Sequence, residues 1–478
     1  MTKTTIPPAE AALAPPGLIK GLFALVIGLS LAQSLFAAVH ARGLFQDGVY
    51  YLYRIAVSGG FHLVDPARTL VQAIRQAPVV LLTRLTDMPL FERGQIFTFV
   101  LLVLPVLVCA ACWPIAPRGQ KGWVIFPLLH VIVGFAATSF NAIGEAALAT
   151  SYWWCLFFLI VFRTRNTGSQ ILFIVLCALA FDLHEGAFPL MTVLLVVCAM
   201  RCRNAADGRE RMFLSLCVLL ILAIIARELW WVVDPRVPFD RTTVLDGLAS
   251  LAFIATDAHV NLPVLTGLAG CTASAALIVT ELALPAGRAA RRRRVIMGAF
   301  SIVWLLAVAA LATERSFSPG SQVLARYHPV FVSVVLGLVM LFLVVREVPE
   351  RIWLQPGIVV IVAMLALLHS VADIAATLRW RAYVADLQSR LSSGQGLVRW
   401  NDTLVTGDRE KDLNWRLMSI EWVIPLVSIV FAKDGVVQTM IDPRPEMTFR
   451  PVDPNRPDQL PTLRGIDFSH YRAALRKE

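Results

Sequence analysis

The sequence predicts an all-α polytopic membrane bundle of about eleven transmembrane helices, followed by a small mixed α/β C-terminal segment. Two observations predict it. Hydrophobic residues make up 57% of the 478 positions, charged residues only 16%, and mean hydropathy is +0.68. Soluble domains carry about 25% charged residues. The charges also cluster in short stretches between apolar runs, and many of those runs approach the roughly 20 residues a helix needs to cross the hydrocarbon core. The expected spans are 18–41, 95–116, 123–140, 148–162, 170–184, 187–200, 212–232, 262–283, 296–312, 329–345 and 356–375. The first run, Gly17 to Ala41, has the length of a signal peptide. It lacks a small-residue cleavage site before Gln46-Asp47, so it reads as a retained helix.

Charge gives the bundle a direction. With a cytoplasmic N-terminus the inner connectors are 117–122, 163–169, 201–211, 284–295 and 346–355. They hold fifteen Lys and Arg residues, from Arg118 and Lys121 through the run Arg291 to Arg294 to Arg346 and Arg351. The longer outer loops hold fewer. The positive-inside rule then selects N-in, and an odd span number places the C-terminus outside, in the periplasm of a bacterial inner membrane. The net charge of +10 is explained by these connectors and not by a nucleic-acid partner. The eight cysteines lie in or beside apolar runs without metal-ligand spacing, and read as small hydrophobes.

Two units follow. Residues 1–375 form the transmembrane domain, with long outer loops at 43–94 and 233–261. Residues 376–478 form an extracytoplasmic C-terminal domain. In the first loop, Ala67 to Leu85 mixes apolar and Arg positions at helical spacing, an amphipathic helix able to lie in the interface. Trp123, Trp153, Trp154, Trp230 and Trp231 mark expected interface levels, and Tyr50, Tyr51 and Tyr53 read as interface anchors. Arg379 to Leu391 continues the last span as an amphipathic helix. Val427 to Ile441, apolar on both sides of Lys433-Asp434-Gly435, reads as a hairpin. Met418 to Phe431 is a packed or interfacial stretch, and from Asp442 the chain is rich in Pro, Asp and Arg and runs extended.

Ionisable groups near a membrane need a partner or a wet cavity, because a charge at mid-bilayer costs about 2.5–3.5 kcal/mol on insertion scales. Here they gather at the outer ends of spans: Asp47, Glu145, the turn Asp182-Leu183-His184-Glu185, Arg227-Glu228, Glu314-Arg315, and Arg326 with His328. Arg227 and Glu228 read as a mutual pair. Arg315, Arg326 and His328 bring cations to one outer loop against the positive-inside trend, and suit an anion such as phosphate. Walker A, dinucleotide and Cys/His metal patterns are absent from the sequence, so chemistry driven directly by cytoplasmic ATP is not supported.

The layout resembles the GT-C superfamily of membrane glycosyltransferases. The likeness rests on Asp47 in FQDGVYYLYR at the start of a long first outer loop, on the amphipathic 67–85 stretch, and on the outward 376–478 segment. The paired acidic residues that many members carry at that position are not present. The resemblance implies transfer of a sugar from a polyprenyl-phosphate-linked donor to an envelope glycan, lipid or protein acceptor at the outer face. It casts Asp47 as catalytic base, with His184 and Glu185 assisting. Arg315, Arg326, His328, Glu145 and Asp182 become substrate-binding groups. Some members need a divalent metal and others do not; here the resemblance points to Asp47 with Glu185 as the candidate ligands of one. Two other classes fit the same outward cavity. One is a transporter or flippase for a lipid-linked or anionic solute, against which the lack of repeated halves counts. The other is a non-catalytic subunit of an envelope polysaccharide assembly pathway.

Overall fold

The computed structural model describes residues 16–45, 47–63, 66–135, 145–184, 187–233, 319–348, 350–399, 424–442, 463 and 466–475. They are mostly helical. Among them, five helices are long and apolar enough to cross a membrane: Gly17–Val39, Leu90–Ile115, Glu145–Phe162, Gly208–Trp230 and Gly357–Ser393. Three shorter apolar helices, Lys121–Gly134, Thr167–Ala178 and Val332–Val345, lie among them. The expected spans 262–283 and 296–312 and the outer loop 233–261 lie almost wholly outside the described residues.

The main elements are α1 (Pro16–Val39), α2 (Asp47–Ser58), α3 (Thr69–Leu85), α4 (Leu90–Ala110), α5 (Ile125–Leu129), α6 (Glu145–Phe162), α7 (Thr167–Ala178), α8 (Phe188–Arg203), α9 (Gly208–Val233), α10 (Pro319–Val345) and α11 (Pro356–Ser393). Of the five long helices, α6 is the most enclosed. Trp153, Trp154, Phe157 and Phe158 on it are fully buried and stack against one another. That corrects the expected interface role of the two tryptophans: each indole N–H donates inward, Trp153 to the Leu190 carbonyl at 2.8 Å and Trp154 to Ser333 Oγ at 3.3 Å. Trp123 is buried as well, its ring tilted against that of Trp353 with centroids 4.9 Å apart, whereas Trp230 is exposed. After α5 the chain widens into a π-helical turn, His130–Gly134. His130 there meets Thr150 on one ring nitrogen and Ser333 on the other, so a buried imidazole joins α6 to α10.

The connectors sort to two ends. At one end, Lys121 donates to the carbonyls of Trp113 and Ala116, Arg163 to those of Pro114 and Ile115, and Arg201 to that of Val161. Connector 346–355 joins them through Trp353 and through Glu350, which accepts the backbone N–H groups of Gly122 and Trp123. At the other end lie α2, α3, the turn after α7, and the C-terminal segment.

α11 runs 38 residues without a break, so the amphipathic continuation over Arg379 to Leu391 is the same helix. Beyond it, β1 (Gly396–Arg399) pairs in parallel with β2 (Thr439–Asp442), with Leu397 opposite Met440. The expected hairpin over 427–441 is therefore corrected. α12 (Ile424–Val430) leads through a turn at Lys433–Gly435 into β2, and the strand partner is the chain after α11. The apolar residues before that turn form a helix because they have a second core to enter. Leu426, Val427, Ile429 and Val430 pack with Leu52 and Ile55 of α2 and with Trp380 and Tyr383 of α11. A short closing helix, α13 (Ser469–Leu475), buries Tyr471 in the same core.

Candidate functional site

The site is built from the stretch 43–94. Two tight approaches fix its start. Gly43 sits against α4, where its N–H donates to Thr98 Oγ1 at 3.1 Å. A Cβ on Gly48 would stand 1.7 Å from the Gly43 carbonyl oxygen. Only glycine lets α2 begin so close to the preceding turn, and that places Asp47 at its N-terminus, where the helix dipole favours a carboxylate. α3 then runs alongside α2, its start held at Tyr51 by Gln72 and its end at Gly59 by Arg84, and the connection is clamped by Gln76, which bonds both the N–H and the carbonyl of His62 at 2.7 and 2.8 Å.

Arg68, at the N-cap of α3, and Gln72 and Arg75 within it follow at i, i+4 and i+7, so they point to one side of the helix. That face meets the start of α6. Arg68 Nη1 lies 2.9 Å from Glu145 Oε2, and Gln72 Nε2 donates to both Glu145 Oε1 at 3.2 Å and Tyr51 Oη at 2.9 Å. Arg75 is buried beside them, and its Nε and Nη2 have no hydrogen-bond partner among the described residues. Burial draws its guanidinium down to about 10, opposed by the nearby Glu145 and Tyr51, so it stays charged at neutral pH. The Tyr51 hydroxyl is pushed up, first by burial and then by the charges of Glu145 and Asp47. His184 is close enough to act on Glu145 as well.

Asp47, Tyr51, Arg68, Gln72, Arg75, Glu145 and His184 thus form one electrostatic cluster. Of the residues singled out in the sequence, it unites Asp47, Glu145 and His184. Asp182 stands beside it. The Asp182 carbonyl accepts the N–H of Leu70 at 3.3 Å, and its carboxylate meets Arg227 Nε at 2.8 Å. Arg227 therefore pairs with Asp182, which corrects the expected Arg227–Glu228 pair. Asp182 adopts a left-handed φ of 55° in the turn after α7. Glu185 and Arg315 lie outside the described residues, and Arg326 and His328 fall where only the backbone of α10 is described.

Sequence reasoning missed Tyr51, Arg68, Gln72 and Arg75. Tyr51 is a buried member of the cluster and not an interface anchor. The i, i+4, i+7 spacing of the α3 residues was the available signal. Among the described residues no three His, Cys, Asp or Glu side chains converge to hold a metal ion, and the Glu145 carboxylate bonds Arg68 and Gln72. No protein-family model, curated protein or solved structure matches the chain.

Proposed function

We propose that the protein is a membrane-embedded glycosyltransferase that works at the α2–α3 end of the bundle. It moves a sugar from a polyprenyl-phosphate donor to a hydroxyl of an envelope glycan, lipid or protein. The observation that carries this reading is Arg75, a buried guanidinium in the same cluster as Asp47 with two nitrogens unpartnered among the described residues. A buried cation with open donors is costly unless an anion meets it, and a guanidinium suits phosphate oxygens.

In this reading Asp47 takes the proton of the acceptor hydroxyl as its oxygen attacks the anomeric carbon. The bond from that carbon to the phosphate oxygen breaks, and the electron pair leaves on the lipid phosphate. Arg75 meets the charge that grows there, while Arg68 is held in place by Glu145. Tyr51, with its proton held firmly, orients oxygen ligands and does not act as the base. His184 borders the acceptor side.

The test is transfer from a polyprenyl-phosphate sugar by the protein in lipid nanodiscs. Asp47→Asn should lower turnover by about 100-fold or more, the scale of general-base catalysis, while donor binding persists. Full turnover in folded Asp47→Asn removes Asp47 as base. Donor binding with no turnover in the wild-type protein favours a carrier for the same lipid.

A further inference from the structure

A second polar site lies inside the bundle, between α1, α4 and α11, and shares no residue with the cluster above. Ser30, Gln33 and Ser34 present one buried face of α1, at i, i+3 and i+4. His369 and Asp373, at i and i+4, face them from α11 and are 8% and 4% exposed. Arg42, beyond the end of α1, reaches across to α11. Its Nη2 lies 2.8 Å from Asp373 Oδ1, and its Nη1 donates to the Asp373 carbonyl and to Thr377 Oγ1. These groups line one partly open cleft with a cavity volume of about 30 Å³, and apolar residues such as Leu101 and Pro105 form the rest of its wall.

Among the described residues, Gln33 Oε1, His369 Nε2 and Asp373 Oδ2 in the cleft wall are buried without a hydrogen-bond partner. Buried polar groups are normally satisfied, and an apolar setting raises the penalty when they are not. Three such atoms from two helices on one cleft mark a place for a ligand. Its chemistry follows from theirs. Gln33 Oε1 and Asp373 Oδ2 are acceptors, so the ligand must donate. His369 Nε2 gives or takes a hydrogen according to its tautomer. The Asp373 charge is already met by Arg42, which leaves a cation little to gain. An anion would face Asp373. We propose that the cleft binds the hydroxyl groups of an uncharged polyol head.

The test uses the full-length protein in nanodiscs and follows thermal unfolding by tryptophan fluorescence. The probes are monooleoylglycerol, free glycerol, oleylamine and oleyl phosphate. A saturable rise in Tm with monooleoylglycerol alone assigns a membrane-borne polyol. A rise with both it and glycerol assigns the head group from either source. In each case Gln33→Met and, independently, His369→Phe should abolish the shift, because each removes one partner with little change in bulk. Equal stabilisation by oleylamine or oleyl phosphate, a shift that survives in both variants, or no shift with any probe overturns the proposal. The last result leaves water as the only occupant. Sugar transfer is not part of this readout, so its outcome is separate from that of the function proposed above.

Discussion

The two ends of the bundle use the same residue types in opposite ways. At the connector end, Lys121, Arg163 and Arg201 donate to carbonyls in or just beyond the last turns of helices. Those carbonyls have no intrahelical partner and carry the negative end of the dipole, so each cation completes a helix terminus. At the other end Arg42, Arg68 and Arg75 are taken out of water, against Asp373, Glu145 and Tyr51. Desolvating charges seldom adds stability over an apolar replacement. The first arrangement explains itself as folding and orientation. The second needs a reason beyond folding.

Removing one carboxylate from each end sharpens the contrast. Glu145→Gln removes the carboxylate that meets Arg68 and lies beside the buried Arg75, and should cost about 3 kcal/mol of stability, the scale of breaking a buried pair. Equilibrium unfolding in detergent measures it, and a loss below about 1 kcal/mol would show that the pair behaves as a surface one. Arg75→Met asks the converse question. A structural arginine would lower stability when lost. A ligand-binding one should leave stability unchanged or higher, while donor affinity falls about tenfold, or 1.4 kcal/mol. Loss of stability with unchanged donor KM would count against the phosphate role.

How much of this was legible in the sequence follows from distance along the chain. Helices and most of their bounds followed from apolar runs, because burial in lipid and packing in a bundle demand the same composition. Asp47 and Glu145 stood out as charges at span ends. Arg68 and Arg75 did not, since an Arg in an amphipathic stretch looks solvated until the helix it packs on is known. Asp373 lay inside an expected span, where a carboxylate is a functional signal by default, yet its partner Arg42 is 331 residues away. β1 and β2 pair in parallel across about forty residues, which local turn chemistry at Lys433-Asp434-Gly435 could not reveal.

Glu210 gives the connector-end counterpart to Glu145. Its carboxylate receives Thr164, the Ala206 N–H, Arg201 and Arg165, but the two arginine side chains are 37% and 73% exposed. Solvent screens such pairs, so Glu210→Gln should cost only about 1 kcal/mol and leave sugar transfer untouched. A stability loss as large as that of Glu145→Gln would erase the distinction between the ends.

The smallest effect is one of slope. Burial raises the Glu350 carboxyl to about 7, against the help of the Gly122 and Trp123 N–H groups, which favour its charged form. The unfolded chain releases that proton near the ordinary carboxylate value. Between the two values the folded state holds more protons, so the contribution of Glu350 to stability is present below the lower value and is lost as pH rises through about 7. Glu350→Gln, which cannot ionise, should flatten that decline. Unfolding midpoints taken at about pH 5 and about pH 8 measure the difference between the variant and the wild type. Equal slopes would mean that Glu350 is charged throughout, and that the connector end, like the other, keeps a buried carboxylate ionised.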